Sequence, residues 1–381
     1  MKRIGILFFF GAVALSVIIF SCKKSSAPAV NNNNSVAKDS ILVNIGNNII
    51  LPSYQAYLVA VNSLDSSIID FNQGPNSTKL SNVQVLFKNA YITWQSVSEY
   101  NGLGPASINI PPFTGLNLFP VNTTLVDNNI SAIGSTTINI NSFANQAAKG
   151  FPALDYLLFG SSNTTLLTDF TTDANAANRK QYLALVSGDI KTETNTIVAA
   201  WSPAGGNYIN TFISSSGTSV SSSLGLLLNS VDQDLEILKN YRLGAPLGLI
   251  FTSTTSPTQV EAYYSGISAQ LAVTQLKAIQ SIYLGTGTNG NGLGLTTYLV
   301  DSKAIYATIN GPTLDSTIKA EIASTITDLE GVADPLSATI QTNPTLANKA
   351  FNETQQLVVL LKTDVPSLLG VAITYGDNDG D

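Results

Sequence analysis

The chain has 381 residues, with 18 basic and 25 acidic side chains, no histidine and one cysteine. Without imidazole there is no histidine general base, no Ser-His-Asp or Cys-His nucleophile, and no imidazole or multi-cysteine zinc site. Loss of Lys2 and Arg3 with a leader takes the net charge from −7 to −9, which excludes nucleic acid as a partner held through its phosphates.

Met1-Lys2-Arg3 is a short basic start, and Ile4 to Phe20 is an apolar run of 17 residues broken only by Gly5, Gly11 and Ser16. That is below the ~20 residues that span a bilayer comfortably. Residues 1–21 therefore read as a secretory signal, with an uncleaved anchor as the alternative. Ile19-Phe20-Ser21-Cys22 resembles a bacterial lipobox, in which a small residue precedes the cysteine that takes the lipid. A lone Cys22 in an exported chain fits lipidation better than redox chemistry. The expected partner is thus a membrane, held through lipid on Cys22, and the expected location is the cell envelope, at the outer membrane. Residues 22–40 are polar and rich in Asn, Ser and Ala, and read as a flexible tether.

Ile41, Ile45 and Ile49, then Leu58, Val61, Leu64 and Ile68, flank Pro52, which gives one kinked helix or two short ones. Leu80, Val83, Phe87, Ala90, Trp94 and Val97 alternate steps of three and four, a helical stripe. Residues 101–148 form an Asn/Thr-rich excursion of short helices or a strand pair. Tyr182 to Trp201 is a helix ended by Pro203 and Gly205. Ser214 to Ser223, nearly all Ser, Thr and Gly, reads as a loop between halves. Leu224 to Leu238 repeats the stripe and ends in Gly244-Ala245-Pro246, ordinary helix punctuation. Ser256-Pro257-Thr258-Gln259 has the form of a capping box, so a helix is predicted from there through Ile282. Leu314 to Leu329 and a last helix through Leu357, Leu361 and Val365 to Pro366 complete the set. Helical stripes without strand-turn-strand series give an all-α fold of two helical-bundle halves, 41–212 and 213–381.

Lys149-Gly150-Phe151-Pro152-Ala153-Leu154-Asp155-Tyr156-Leu157-Leu158-Phe159-Gly160 resembles the signature of the imelysin family, Gly-x-His-x-x-Glu followed by Tyr-Leu-Leu-Phe-Gly. Ile50-Leu51-Pro52-Ser53-Tyr54, Trp94-Gln95 before Gly104-Pro105, Leu243-Gly244-Ala245-Pro246, Val260 to Ser265 and the closing Asp379-Gly380-Asp381 agree in order, so the likeness covers residues 41–381. The resemblance implies an exported helical protein, often a lipoprotein, with two bundles around an internal cleft and a link to iron or haem acquisition. The family's namesake was described as a metallopeptidase.

The departures decide the chemistry. The family histidine falls at Pro152, which has no side-chain donor, and its glutamate at Asp155, one methylene shorter. With Gly150 these make a degenerate motif, for which no metal, no cofactor and no catalytic residue is expected. A structural role fits better, with Pro152 in an early helical turn and Asp155 where the helix dipole favours negative charge. Glu261 and Ser265, one turn apart on the predicted helix, match family positions facing the cleft; the alternative is a solvated glutamate beside core tyrosines. Trp94 and Glu99 are further cleft candidates on or beside an apolar stripe, Trp94 reading more naturally as core. Asp377 to Asp381 looks like half a calcium loop, though a solvated tail is the simpler reading. A non-catalytic binding or accessory component, holding a small ligand or an envelope protein, is the expected function. The alternatives are a peptidase and a structural or adhesive surface module.

Overall fold

The computed structural model describes residues 35–100, 102–105, 115–288, 290–302 and 311–374. The signal, Cys22, most of the tether and the Asp377–Asp381 tail lie outside them. The α-helices are α1 (Ser35–Asn44), α2 (Leu51–Gln73), α3 (Ser77–Trp94), α4 (Thr123–Ala132), α5 (Gly150–Phe159), α6 (Asn163–Thr171), α7 (Ala176–Trp201), α8 (Tyr208–Ser214), α9 (Ser223–Glu236), α10 (Ala245–Leu247), α11 (Ser268–Leu284), α12 (Leu295–Ser302), α13 (Leu314–Gly331), α14 (Leu336–Thr342), α15 (Thr345–Val359) and α16 (Val365–Leu369). Two residue pairs form a small hairpin, β1 (Thr286–Gly287) and β2 (Gly290–Asn291). Helix α1 begins inside the stretch read as tether. The chain is all-α, as the stripes predict.

Helix α2 packs against α3 and α7, while α13 packs against α11 and α15, and one continuous apolar core runs through both groups. The predicted stripes are its ridges: Leu80, Val83, Phe87, Ala90 and Trp94 are all buried on α3, as are Leu224, Leu228, Val231 and Leu235 on α9. Aromatic rings fill the first group. Phe151 stacks on Tyr91 with centroids 4.7 Å apart, and Trp201 packs against Tyr54, Tyr208 and Phe212.

Of three prolines, Pro246 and Pro366 behave differently from expectation, and at Pro52 the single-helix alternative holds. Pro52, Pro246 and Pro366 end no helix. Each follows a stretch of π-helix, Ile45–Ile50, Ile237–Gly244 and Leu360–Asp364, after which the helix resumes. Proline clashes with the carbonyl four residues back. The wider turn shifts that bonding: the amides of Leu51, Ala245 and Val365 reach carbonyls five residues back, those of Gly46, Asn240 and Leu360. So the first stripes belong to one continuous helical rod, and Gly244-Ala245-Pro246 lies inside a helix that stops only at Gly248, with φ 73°.

The predicted helix from Ser256 to Ile282 is also corrected. Pro257–Gln259 is a single 3-10 turn and Ser256 accepts no capping bond, residues 260–267 are non-helical, and α11 starts at Ser268. Ala262 and Gly266 take positive φ, which breaks the helix despite the apolar spacing. The amides that open α11, Ala269 and Gln270, are capped by the carboxylate of Asp334, far away in sequence. In the described part of the 101–148 excursion there are α4, a 3-10 turn (Phe143–Ala148) and one isolated bridge, Ile133 to Thr136, in place of a strand pair. No helix among the described residues is long and apolar enough to cross a membrane.

Candidate functional site

The non-helical stretch 260–267 crosses the junction between the two helix groups and carries Glu261 into it. Glu261 is 1% exposed, so it is not a solvated glutamate. Its Oε1 accepts from Nε2 of Gln95 at 2.8 Å and Nδ2 of Asn117 at 2.6 Å, and its Oε2 lies 2.9 Å from Nε of Arg242. Arg242 is 2% exposed, donates to Oε1 of Gln275, and stands over the Trp94 ring, 5.9 Å from its centroid. Trp94 is therefore both core and the face on which the guanidinium rests. Gln275 in turn donates to the carbonyl of Asp234, whose carboxylate takes a bond from Ser98. Burial pushes the Asp234 carboxyl up to about 6, against the lowering effect of Arg242.

A π-turn supplies the central cation. Leu228, Val231, Leu235 and Leu238 step by three and four, and the next step lands on Arg242, so a charge sits on the apolar stripe. The same segment holds Lys239 against Glu236 at 2.8 Å, and Lys362 reaches Glu236 at 2.7 Å. Arg242, Asp234 and Gln275 were missed by sequence reading, which singled out Gln95 only as a neighbour of the Trp94 stripe. A cation at a stripe position was the one signal that could have exposed Arg242.

The degenerate motif lies beside this network. Gly150 has φ 70°, and an added Cβ would come within 2.2 Å of the Leu116 carbonyl oxygen, so only glycine fits. Lys149 just before it is buried between Asp189, at 2.7 Å, and Glu193, at 2.8 Å. Pro152 is in the first turn of α5, as predicted. Asp155 lies beyond that turn, and its own helix does not hold its charge. Instead Oδ2 accepts the Tyr264 amide at 2.8 Å and Oδ1 the Ser265 amide at 2.9 Å. The dipole reading is replaced by a staple between α5 and the loop that carries Glu261. Burial raises the Asp155 carboxyl to about 6, opposed by hydrogen bonds from Ser265 and Tyr264. A cavity of about 220 Å³ adjoins Pro152 and Asp155, with Tyr263, Tyr264, Phe119 and Pro120 in its wall.

Asp155, Ser265, Glu261 and Trp94 thus converge on one junction. Glu99 is separate, behind Asp234 and Ser98, at the floor of a second cavity. Its carboxylate has no hydrogen-bond partner, and burial, followed by the charge of Asp234, holds its carboxyl well above the usual range. The motif does not suit a metal. Pro152 has no donor, both Asp155 oxygens are committed to amides, and no group of three or more His, Cys, Asp or Glu side chains among the described residues is placed to hold an ion.

An all-helical protein with a closed, ion-paired junction between two helix groups is the class this geometry defines. The chain belongs to the imelysin family: the family model Peptidase M75, Imelysin, matches residues 50–363. Its fold is similar to an iron-regulated protein A precursor from Parabacteroides distasonis, with TM-score 0.68, 17% identity, and coverage of 87% of this chain and 95% of that one. It is also similar to an imelysin-like protein from Psychrobacter arcticum, with TM-score 0.60, 17% identity, and coverage of 89% and 98%. No curated protein sequence matches the chain.

Proposed function

We propose that the chain is a lipid-anchored, non-catalytic binding or accessory protein of the cell envelope, related to iron or haem acquisition. The observation that carries this is Asp155, whose two oxygens are both taken by the Tyr264 and Ser265 amides while Pro152 offers no donor. The motif therefore serves architecture, and a water-activating centre would have to be built elsewhere without imidazole. Family membership and the name of the Parabacteroides protein support the link to iron. The short apolar leader and lone Cys22 support the anchor. Several acyl chains on one residue, at ~0.8 kcal/mol per buried methylene, make a lasting attachment.

The untagged mature chain is expected to carry no stoichiometric zinc or iron and to leave casein intact with or without chelator. Chelator-sensitive cleavage overturns the reading in favour of a metallopeptidase. In the native host, Cys22→Ala is expected to move the protein out of the membrane fraction, and loss of the gene to slow growth on haem or limiting iron.

A further inference from the structure

The π-turn Ile45–Ile50, the 3-10 turn Ser98–Tyr100, α11 and β1 line a half-open cavity of about 450 Å³, a usual size for a small-molecule site. Hydroxyls of Ser53, Ser96, Thr274 and Ser281 lie in its wall, with Lys277 at its edge. At its inner end are Glu99, 0% exposed, and Tyr100, 2% exposed. Neither Glu99 oxygen nor the Tyr100 hydroxyl has a hydrogen bond of good geometry, although the two side chains lie close enough for each to shift the other's protonation.

A buried carboxylate without a partner is costly, and no cation among the described residues pairs with it, Arg242 acting on it only at a distance. Arg242 is committed to Glu261 and Gln275, and the Lys277 ammonium is 2.6 Å from Glu330. Elsewhere in the junction carboxylates are matched: Glu261 by Arg242, Glu236 by two lysines, Asp155 by two amides. Glu99 stands out as an acid left for something from outside.

We propose that this cavity binds a small primary amine, its ammonium held by the Glu99 carboxylate and the Tyr100 hydroxyl and its body by the hydroxyl-lined wall. An ammonium brings three donors and one positive charge, which is what two carboxylate oxygens, a phenol oxygen and neighbouring hydroxyls lack. A divalent cation would want several carboxylates, and only Glu99 is present in the wall. The acidic balance of the chain favours a cationic ligand at long range. Because Glu99 has no exposed surface, an ammonium in the cavity reaches it only once the side chains covering it shift. On the β1 side of the cavity lie Thr286, Gly287 and Thr288; Asn44 donates to the neighbouring Gly285 carbonyl at 3.0 Å and to the Leu293 carbonyl at 2.9 Å, and the Thr288 amide donates to the Asn48 carbonyl.

The inference rests on the reading of the chain as a binding component and supplies the chemistry of what it binds. Its test is calorimetric titration of the full mature chain with putrescine, spermidine and ethanolamine, with 1,4-butanediol as the neutral match. One amine site per chain and no diol binding are expected. Glu99→Gln is expected to weaken the amine at least about tenfold, as loss of charged hydrogen bonds does. Ala278→Trp, which plugs the cavity wall and leaves Glu99 intact, is expected to do the same and serves alone if the first variant fails to fold. No amine binding, equal diol binding, or binding unchanged in both variants overturns the proposal. The casein and metal assays are independent: chelator-sensitive cleavage sinks the functional reading, whereas a silent titration with intact casein sinks only this site.

Discussion

Asp155 and Glu99 are two carboxylates buried to nearly the same degree, and their surroundings could hardly differ more. Asp155 receives two backbone amides from a loop that has given up its helix to supply them. Glu99 receives none and faces a cavity. The first is an internal fastening; the second is buried without one. Burial alone therefore does not mark a functional acid. Whether the chain itself completes the hydrogen bonds is the better criterion.

The comparison can be broken by substitution. Arg242→Ala strands Glu261 without its counter-charge and is expected to cost about 3–5 kcal/mol in denaturant unfolding. A small loss there would mean that the junction is wet and the acids are not comparable. Gly150→Ala forces a side chain into a positive φ and onto the Leu116 carbonyl, with an expected cost of at least about 3 kcal/mol, visible as a lower melting temperature. An unaffected variant would show that the motif's glycine is not needed for architecture.

Asp155→Asn turns an amide donor toward a backbone N–H and is expected to cost about 1–3 kcal/mol near neutral pH. In the parent chain the folded carboxyls of Asp155 and Asp234 hold their protons up to about 6, whereas ordinary carboxyls release them near 3.8. Their contribution is thus fully present below about pH 4 and lost as pH rises through about 6, by as much as about 3 kcal/mol per group. Unfolding measured from pH 4 to 7 should show this decline, and the decline should shrink in Asp155→Asn. Glu99→Gln is expected to have the smallest effect, within about 0.5 kcal/mol at pH 7, since burial already favours the neutral acid there and the amide keeps its shape. A loss as large as that of Asp155→Asn would reveal a partner for Glu99 and erase the contrast.

Much of the helical framework was legible in residue spacing. Leu80 to Trp94, Tyr182 to Trp201 and Leu314 to Leu329 each show the three-four stripe that a helix must bury. The failures share a cause. From Val260 to Ile267 the spacing is equally helical, yet the amides of Tyr264 and Ser265 find a better acceptor in Asp155, more than a hundred residues earlier. The true start of α11 is likewise capped by Asp334 and not by the local Ser256. At Pro52, Pro246 and Pro366 local rules called for a kink or an end, and packing on both sides kept the helix going through a widened turn. Of the site, Glu261, Ser265, Trp94, Glu99 and Asp155 were visible as candidates, but the network joining Glu261 and Trp94 through Arg242 was not.

The sequence by itself determined which side chains exist to do chemistry and which faces must be hidden. A chain without imidazole, with helical stripes and few charges, has those limits before it folds. The tertiary structure alone decided which of the few charges would meet, because an ion pair such as Arg242 and Glu261 depends on distance in space. Local periodicity carries information about one turn of helix, and partners on different segments lie beyond its reach.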